Sequence, residues 1–338
     1  MIGVLNECNV EMERFAHLST DGPNINKSLH KLLDGHLKEV QLCKGLLGFN
    51  PCNLHKCHNG FHKGIVVYGK EVESLAFELH AWFKLSPCKR EDFMEVAAEL
   101  QDATVFAVFE RNEALFYRHL ETRWLTLVPA LIKIESRWDQ TKAYFLEFLP
   151  TTKDFANLTN SNKRYHRVKE ALLKEKFLKV QLAFVVDVAS PFVRFLTLFQ
   201  SEAPLIHILH DELKLLLSTL MKRFLKRNAV DSLSGKQLLS VNVKDSNLQL
   251  NEAQMVIGAK TERLLKKLSP FDQKRERDLM KKFFITVISY LQKMFPLGDN
   301  VLIAASALNP LKRRNNITSR SIKLLAKAFS HVVSEEGV

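Results

Sequence analysis

From Glu71 to Met294, apolar side chains return every three or four residues with few interruptions. That spacing commits most of the chain to amphipathic helices. Val72, Leu75, Ala76, Leu79 and Phe83 mark the first of these, which should end near Ser86-Pro87. A second is expected over 124–148, with Pro129 kinking it or shifting its start. Further helices are expected at 164–187, 192–200, 205–227, 252–267 and 270–295. The last opens on Ser269-Pro270-Phe271-Asp272, a cap with proline at the first helical position, and stops before Pro296. Asp187, Pro191, Arg194, Glu202 and Pro204 break up the apolar stretch 180–209, so no uninterrupted span long enough to cross a bilayer is expected. Residues 231–251, rich in Ser, Asn, Asp and Lys, read as an exposed loop.

The first 64 residues read differently. The segment 15–20 is short and partly apolar, and Asp21-Gly22-Pro23-Asn24 is a turn signal. Ile25, Leu29, Leu32, Leu33, Leu37 and Val40 then follow at helical spacing, and 46–49 is short enough for a second strand. Two strands cannot make a stable sheet alone. The expected architecture is therefore a small, incomplete α/β piece followed by a large helical body.

Charge divides along the same line. Residues 1–150 carry 17 Lys/Arg and 20 Asp/Glu, whereas the remainder carries 32 and 17, so the net +12 comes wholly from the second part. A basic field of this size attracts polyanions, nucleic acid first and acidic membrane second. The N-terminus has acidic residues where a secretory signal would carry basic ones. Five cysteines, all within the first hundred residues and irregularly spaced, do not read as a disulfide framework and suggest a reducing compartment.

A few residues could carry chemistry. Asp21 lies where a strand gives way to a turn, and a carboxylate held there can bind a divalent metal if others converge on it. Taken alone it reads better as a turn aspartate bonding its own backbone. Cys52, His55, Cys57 and His58 put four metal-ligand types into seven residues, but no second pair follows at finger-like spacing. A Cys-x-x-His that props a neighbouring site from the start of a helix fits better. Arg123-Trp124 joins a phosphate-holding guanidinium to a ring able to stack on an unpaired base. Lys222, Arg223, Lys226 and Arg227 form two i, i+4 pairs on one expected helical face that could track phosphates. Lys312-Arg313-Arg314 is a short basic cluster in an expected loop, suggestive of nuclear import or DNA contact. Serine-hydrolase, dinucleotide-fold and P-loop signatures are absent from the sequence.

Taken in order, the stretch Leu18 to Leu29, Cys52-Asn53-Leu54-His55 with His58-Asn59-Gly60-Phe61, the stretch Glu121 to Leu127, and Ala307-Leu308-Asn309-Pro310 resemble the hAT superfamily of DNA transposases and the host genes derived from them. The resemblance implies an RNase H-like core interrupted by a helical insertion. It would make 1–64 a partial core, 65–300 the insertion and 301–338 a return segment. In that family three acidic residues hold two divalent metals for strand cleavage and joining. Asp21 would be the second acid, Cys52 and His55 the element beside the active site, and Arg123 and Trp124 the element that holds flanking DNA. The chain departs from the pattern at both remaining acids. None of the twenty residues before Asp21 is Asp, and Glu262-Arg263 is followed by Leu264-Leu265 rather than x-Phe-Ser. The zinc-binding finger that often gives such proteins DNA specificity is also missing.

The expectation is therefore a truncated or domesticated transposase-like nuclear protein that binds DNA without sequence preference and is not an enzyme. No cofactor is expected, and Mg2+ or Mn2+ would enter only if missing acids were supplied. Membrane is not an expected partner. The alternative is a helical scaffold for protein partners or self-association, with no nucleic acid.

Overall fold

The computed structural model describes residues 17–20, 24–41, 45–46, 52–100, 114–120, 126–153, 155–156, 162–312 and 317–330, together with Gly3 and Glu7. Its helices are α1 (Asn24–Gln41), α2 (Asn53–Val67), α3 (Lys70–Phe83), α4 (Pro87–Glu99), α5 (Leu127–Ser136), α6 (Trp138–Lys142), α7 (Lys163–Leu173), α8 (Glu175–Phe199), α9 (Ile206–Met221), α10 (Gly235–Leu239), α11 (Ala259–Leu265), α12 (Pro270–Met294), α13 (Asn300–Ala305) and α14 (Ile317–Ala328).

Among the described residues there is no strand and no sheet, which corrects the expectation of an α/β, RNase H-like piece. The described part of the first strand-like segment, 17–20, forms no ladder. Leu18 instead packs with Leu33, Leu37 and Leu46 in a small cluster apart from the main core. A short apolar run satisfies a helix-flanking cluster as well as it satisfies a strand, and periodicity does not separate the two.

The expected boundary at 64/65 also falls inside α2, which belongs to the helical body. Gly60 and Gly64, one turn apart, let α2 lie directly on α12. A Cβ on Gly60 would meet Leu291 Cδ2 at 2.8 Å, and one on Gly64 would meet Phe283 Cε2 at 2.5 Å and Val287 Cγ2 at 2.6 Å. The pairing continues past the end of α2, where the Tyr68 hydroxyl donates to Glu276 Oε2 at 2.6 Å. The two helices therefore run antiparallel, joining segments more than 200 residues apart in the chain.

At the centre is α8, which touches α2, α3, α5, α7, α9 and α11. It buries Leu178, Leu182, Phe184, Val185, Val188, Phe192 and Phe195, among others, and each such side chain contributes about 1.5–3 kcal/mol. The sequence predicts two helices here, broken near Pro191, yet α8 runs through Pro191 for 25 residues. By length and composition alone it is apolar enough to cross a membrane, but half of its most apolar window is buried in this core.

A second aromatic mass fills the space between α3, α4 and α7. Trp82, Phe83, Phe93, Phe116, Tyr144, Phe145 and Tyr165 meet with ring centroids 5.2 to 6.4 Å apart. Tyr144 and Phe145 reach it from a π-helical turn, Ala143–Phe148, whose wider winding places two consecutive aromatic residues in the interior.

The stretch 231–251 is largely exposed and consists of turns around the short α10, but it is pinned to the body at several points. Ser234 and Gln237 form a reciprocal capping box on α10, Leu238 and Val243 are buried, and Gln292 of α12 donates to both Leu238 O and Val241 O at 2.9 Å. Its polar residues are exposed, and several of them also serve caps and turns.

Candidate nucleic-acid interface

The Cys-x-x-His element lies at the start of α2. Cys52 precedes the helix and its N–H donates to Thr20 O at 2.7 Å. Of the four ligand-type residues, His55 is exposed, while Cys57 is wholly buried in the main core and burial raises its thiol pKa well above the usual range. One helical turn points these side chains in divergent directions. No group of three or more metal-ligating side chains converges among the described residues. Beside them Lys56 is buried, its pKa lowered by loss of water, and its ammonium donates to Asn53 Oδ1 at 3.2 Å.

Asp21, Arg123 and Trp124 lie outside the described residues. The structure does describe what flanks 121–125. His119 bridges Glu73 Oε1, 3.3 Å from Nε2, and Thr126 Oγ1, 2.9 Å from Nδ1, while Leu120 N–H donates to the same hydroxyl. Both sides of that segment are thus tied to α3 through one buried imidazole.

The expected phosphate-tracking face of Lys222, Arg223, Lys226 and Arg227 does not exist as a helix face. Helix α9 ends at Met221, and Leu225 bridges Gln249 instead. Arg223 is largely buried and pairs with the Asp187 carboxylate, and Lys222 pairs with Asp231 at 2.6 Å. Of the four, only Lys226 and Arg227 remain exposed. The i, i+4 spacing is present in the sequence, but Phe224 and Leu225 turn into the core and take the backbone with them.

A denser basic surface forms at the end of the bundle where α3, α8 and α12 begin. Three interactions bring these starts together. Tyr68, just before α3, bonds Glu276 of α12; Lys174, just before α8, reaches Glu71 of α3 at 3.3 Å; and the Arg275 guanidinium lies over the Phe177 ring at 4.9 Å. Exposed there are Lys70, Lys176, Lys266, Lys267 and Lys274, none with a carboxylate within 4.0 Å among the described residues. Several of the neighbouring acids are already engaged. Asp272 and Glu276 face Arg275, Glu71 faces Lys174, and Glu175 faces Lys142 and Lys179. Three helix N-termini add partial positive charge of the same sign. Two apolar side chains stand out of this surface: Leu173, 67% exposed, and Phe271, 78% exposed.

Sequence reasoning singles out none of these residues. A signal is present nonetheless. Phe271 lies about 140° round the helix from Glu276, off the stripe that Met280, Phe283 and Val287 continue. An aromatic residue off the buried stripe and between lysines is the readable mark of a surface role.

No family model, curated protein or solved structure matches this chain.

Proposed function

We propose that this chain is a non-catalytic nuclear DNA-binding protein that grips phosphates without sequence preference through the basic end of its helical bundle. The observation that carries the reading is the group of five lysines, without carboxylate partners among the described residues, gathered where α3, α8 and α12 begin. Lysines of this kind release bound counterions on meeting a polyphosphate, and this term is independent of base sequence. Descent from a hAT-type transposase rests on the ordered sequence motifs, and on this reading the chain has kept DNA affinity and lost strand cleavage. Binding then needs no divalent metal.

Titrating the full chain into labelled duplex DNA over a salt series, with Mg2+ or with EDTA, tests this. Affinity that falls steeply with salt, is indifferent to EDTA and leaves the DNA intact is the expected result. Absence of binding at low salt, or cutting in Mg2+, defeats the proposal.

One observation favours a second reading, a scaffold for protein partners. Leu215, Leu308 and Leu311 are exposed, Leu311 at 92%, and Lys312, next to Leu311, is pinned to Asp211 one turn before Leu215 on α9. Self-association that persists in high salt, without DNA binding, is the outcome this reading requires.

A further inference from the structure

We infer that the basic end is built for unpaired bases rather than for an intact duplex, with Phe271 as the platform on which a base stacks. The inference rests on the reading above that this end binds nucleic acid, and it names the form of nucleic acid it prefers.

Phe271 is the second residue of α12, directly after Pro270, so the backbone that carries it is fixed in direction by the proline and by the Ser269 cap, whose hydroxyl accepts from Asp272 N at 3.1 Å. Among the described residues its ring joins no aromatic pair and no part of the core, and it is one of the most exposed apolar side chains. Core packing therefore does not account for a phenylalanine at this position. Lys267 precedes it by four residues and Lys274 follows by three, which places an ammonium on either side along the chain. An exposed ring with lysines four residues before it and three after it offers a base and its neighbouring phosphates what each needs, and it tolerates any sequence because every base has a π-face. In a duplex the bases are already stacked and only the phosphates are open to this surface.

The same chemistry could suit an anionic membrane, but the shape argues against it. Membrane docking by a helix needs a broad apolar face along its length. The first turns of α12 present Asp272, Gln273, Lys274 and Arg275 around one ring.

The test uses the full chain and two probes of equal length, single-stranded oligo-dT and a blunt duplex, with phosphatidylserine vesicles as a third. Three proteins are compared: the natural chain, Phe271→Ala and Phe271→Trp. Oligo-dT should bind more tightly than duplex. Phe271→Ala should weaken oligo-dT binding by about tenfold and duplex binding by less than about twofold, with the salt slope on oligo-dT unchanged. Phe271→Trp should restore the affinity and add a tryptophan emission that oligo-dT quenches. Because the side chain is exposed, circular dichroism should show all three equally folded. Equal affinity for the two DNAs, or an alanine variant indistinguishable from the natural chain, overturns the stacking role while leaving salt-dependent DNA binding intact. Binding to vesicles with none to either DNA overturns both this inference and the proposed function.

Discussion

Arg223 meets Asp187 twice: one guanidinium nitrogen pairs with its carboxylate and the other donates to its backbone carbonyl at 3.3 Å. That carbonyl is the one Pro191 leaves without its i+4 donor, since proline has no N–H. The helix α8 therefore passes through a proline because a side chain from the end of α9 supplies the missing hydrogen bond. Gly258 closes the arrangement from the other side. Its φ of +92° and the 2.6 Å that a Cβ would leave to Asp187 Cγ allow only glycine to approach so closely.

Replacing Arg223 with Ala should lower unfolding free energy by about 2 kcal/mol, since it strands a partly buried carboxylate and an orphan carbonyl together. The loss should shrink by about 1 kcal/mol in a Pro191→Ala background, where residue 191 regains its N–H. A double-mutant cycle read by urea unfolding measures this. Equal losses in the two backgrounds would mean that the carboxylate pair alone matters.

Gly64→Ala should destabilise by about 1–3 kcal/mol, because the added methyl drives into Phe283 and Val287 where α2 lies on α12. Better helix propensity returns at most about 1 kcal/mol of this. Gly35→Ala, on α1 with nothing within 4 Å, should instead stabilise α1 by about 0.5–1 kcal/mol. Opposite shifts in thermal midpoint for the two glycine variants are the expected readout.

Glu175 ties α6 to α8. Burial alone would raise its pKa, but hydrogen bonds from Lys142 and Lys179, at 2.6 and 2.7 Å, outweigh this and hold it down at about 2. A carboxylate depressed from its ordinary value of 4.5 adds stability that is fully present above that pH and is lost as pH falls toward 2. Glu175→Gln should therefore lower the urea midpoint at neutral pH, and the gap to the natural chain should close between about pH 4.5 and 2. A gap constant across that window would contradict the assignment.

Changing Lys266, Lys267 and Lys274 together to Ala should lower the slope of log affinity against log salt on duplex DNA by up to about 0.9 for each phosphate no longer neutralised. The pair Lys226→Ala, Arg227→Ala, on a surface where Lys222 and Arg223 are already engaged, should change it less. The reverse order of effects would move the interface to the end of α9.

The helical character of the chain from Glu71 onward, the capped start of α12 at Ser269-Pro270 and the basic second half are all legible in the sequence. These are local matters: apolar period, side-chain caps and charge are written in neighbouring residues. Where helices end or pass a breaker is not written there. Whether α8 stops at Pro191 depends on Arg223, thirty-two residues further on, and whether α9 reaches Arg227 depends on Phe224 finding Phe284 to stack against at 5.7 Å. Nor does the sequence show that 17–20 joins no sheet among the described residues, because a strand exists only if a partner strand is present to accept its hydrogen bonds. The basic end is equally hidden. Its lysines lie at 70, 176 and 266–274, and it takes the antiparallel packing of α2 on α12 together with the Lys174–Glu71 and Arg275–Phe177 contacts to bring those helix starts to one end.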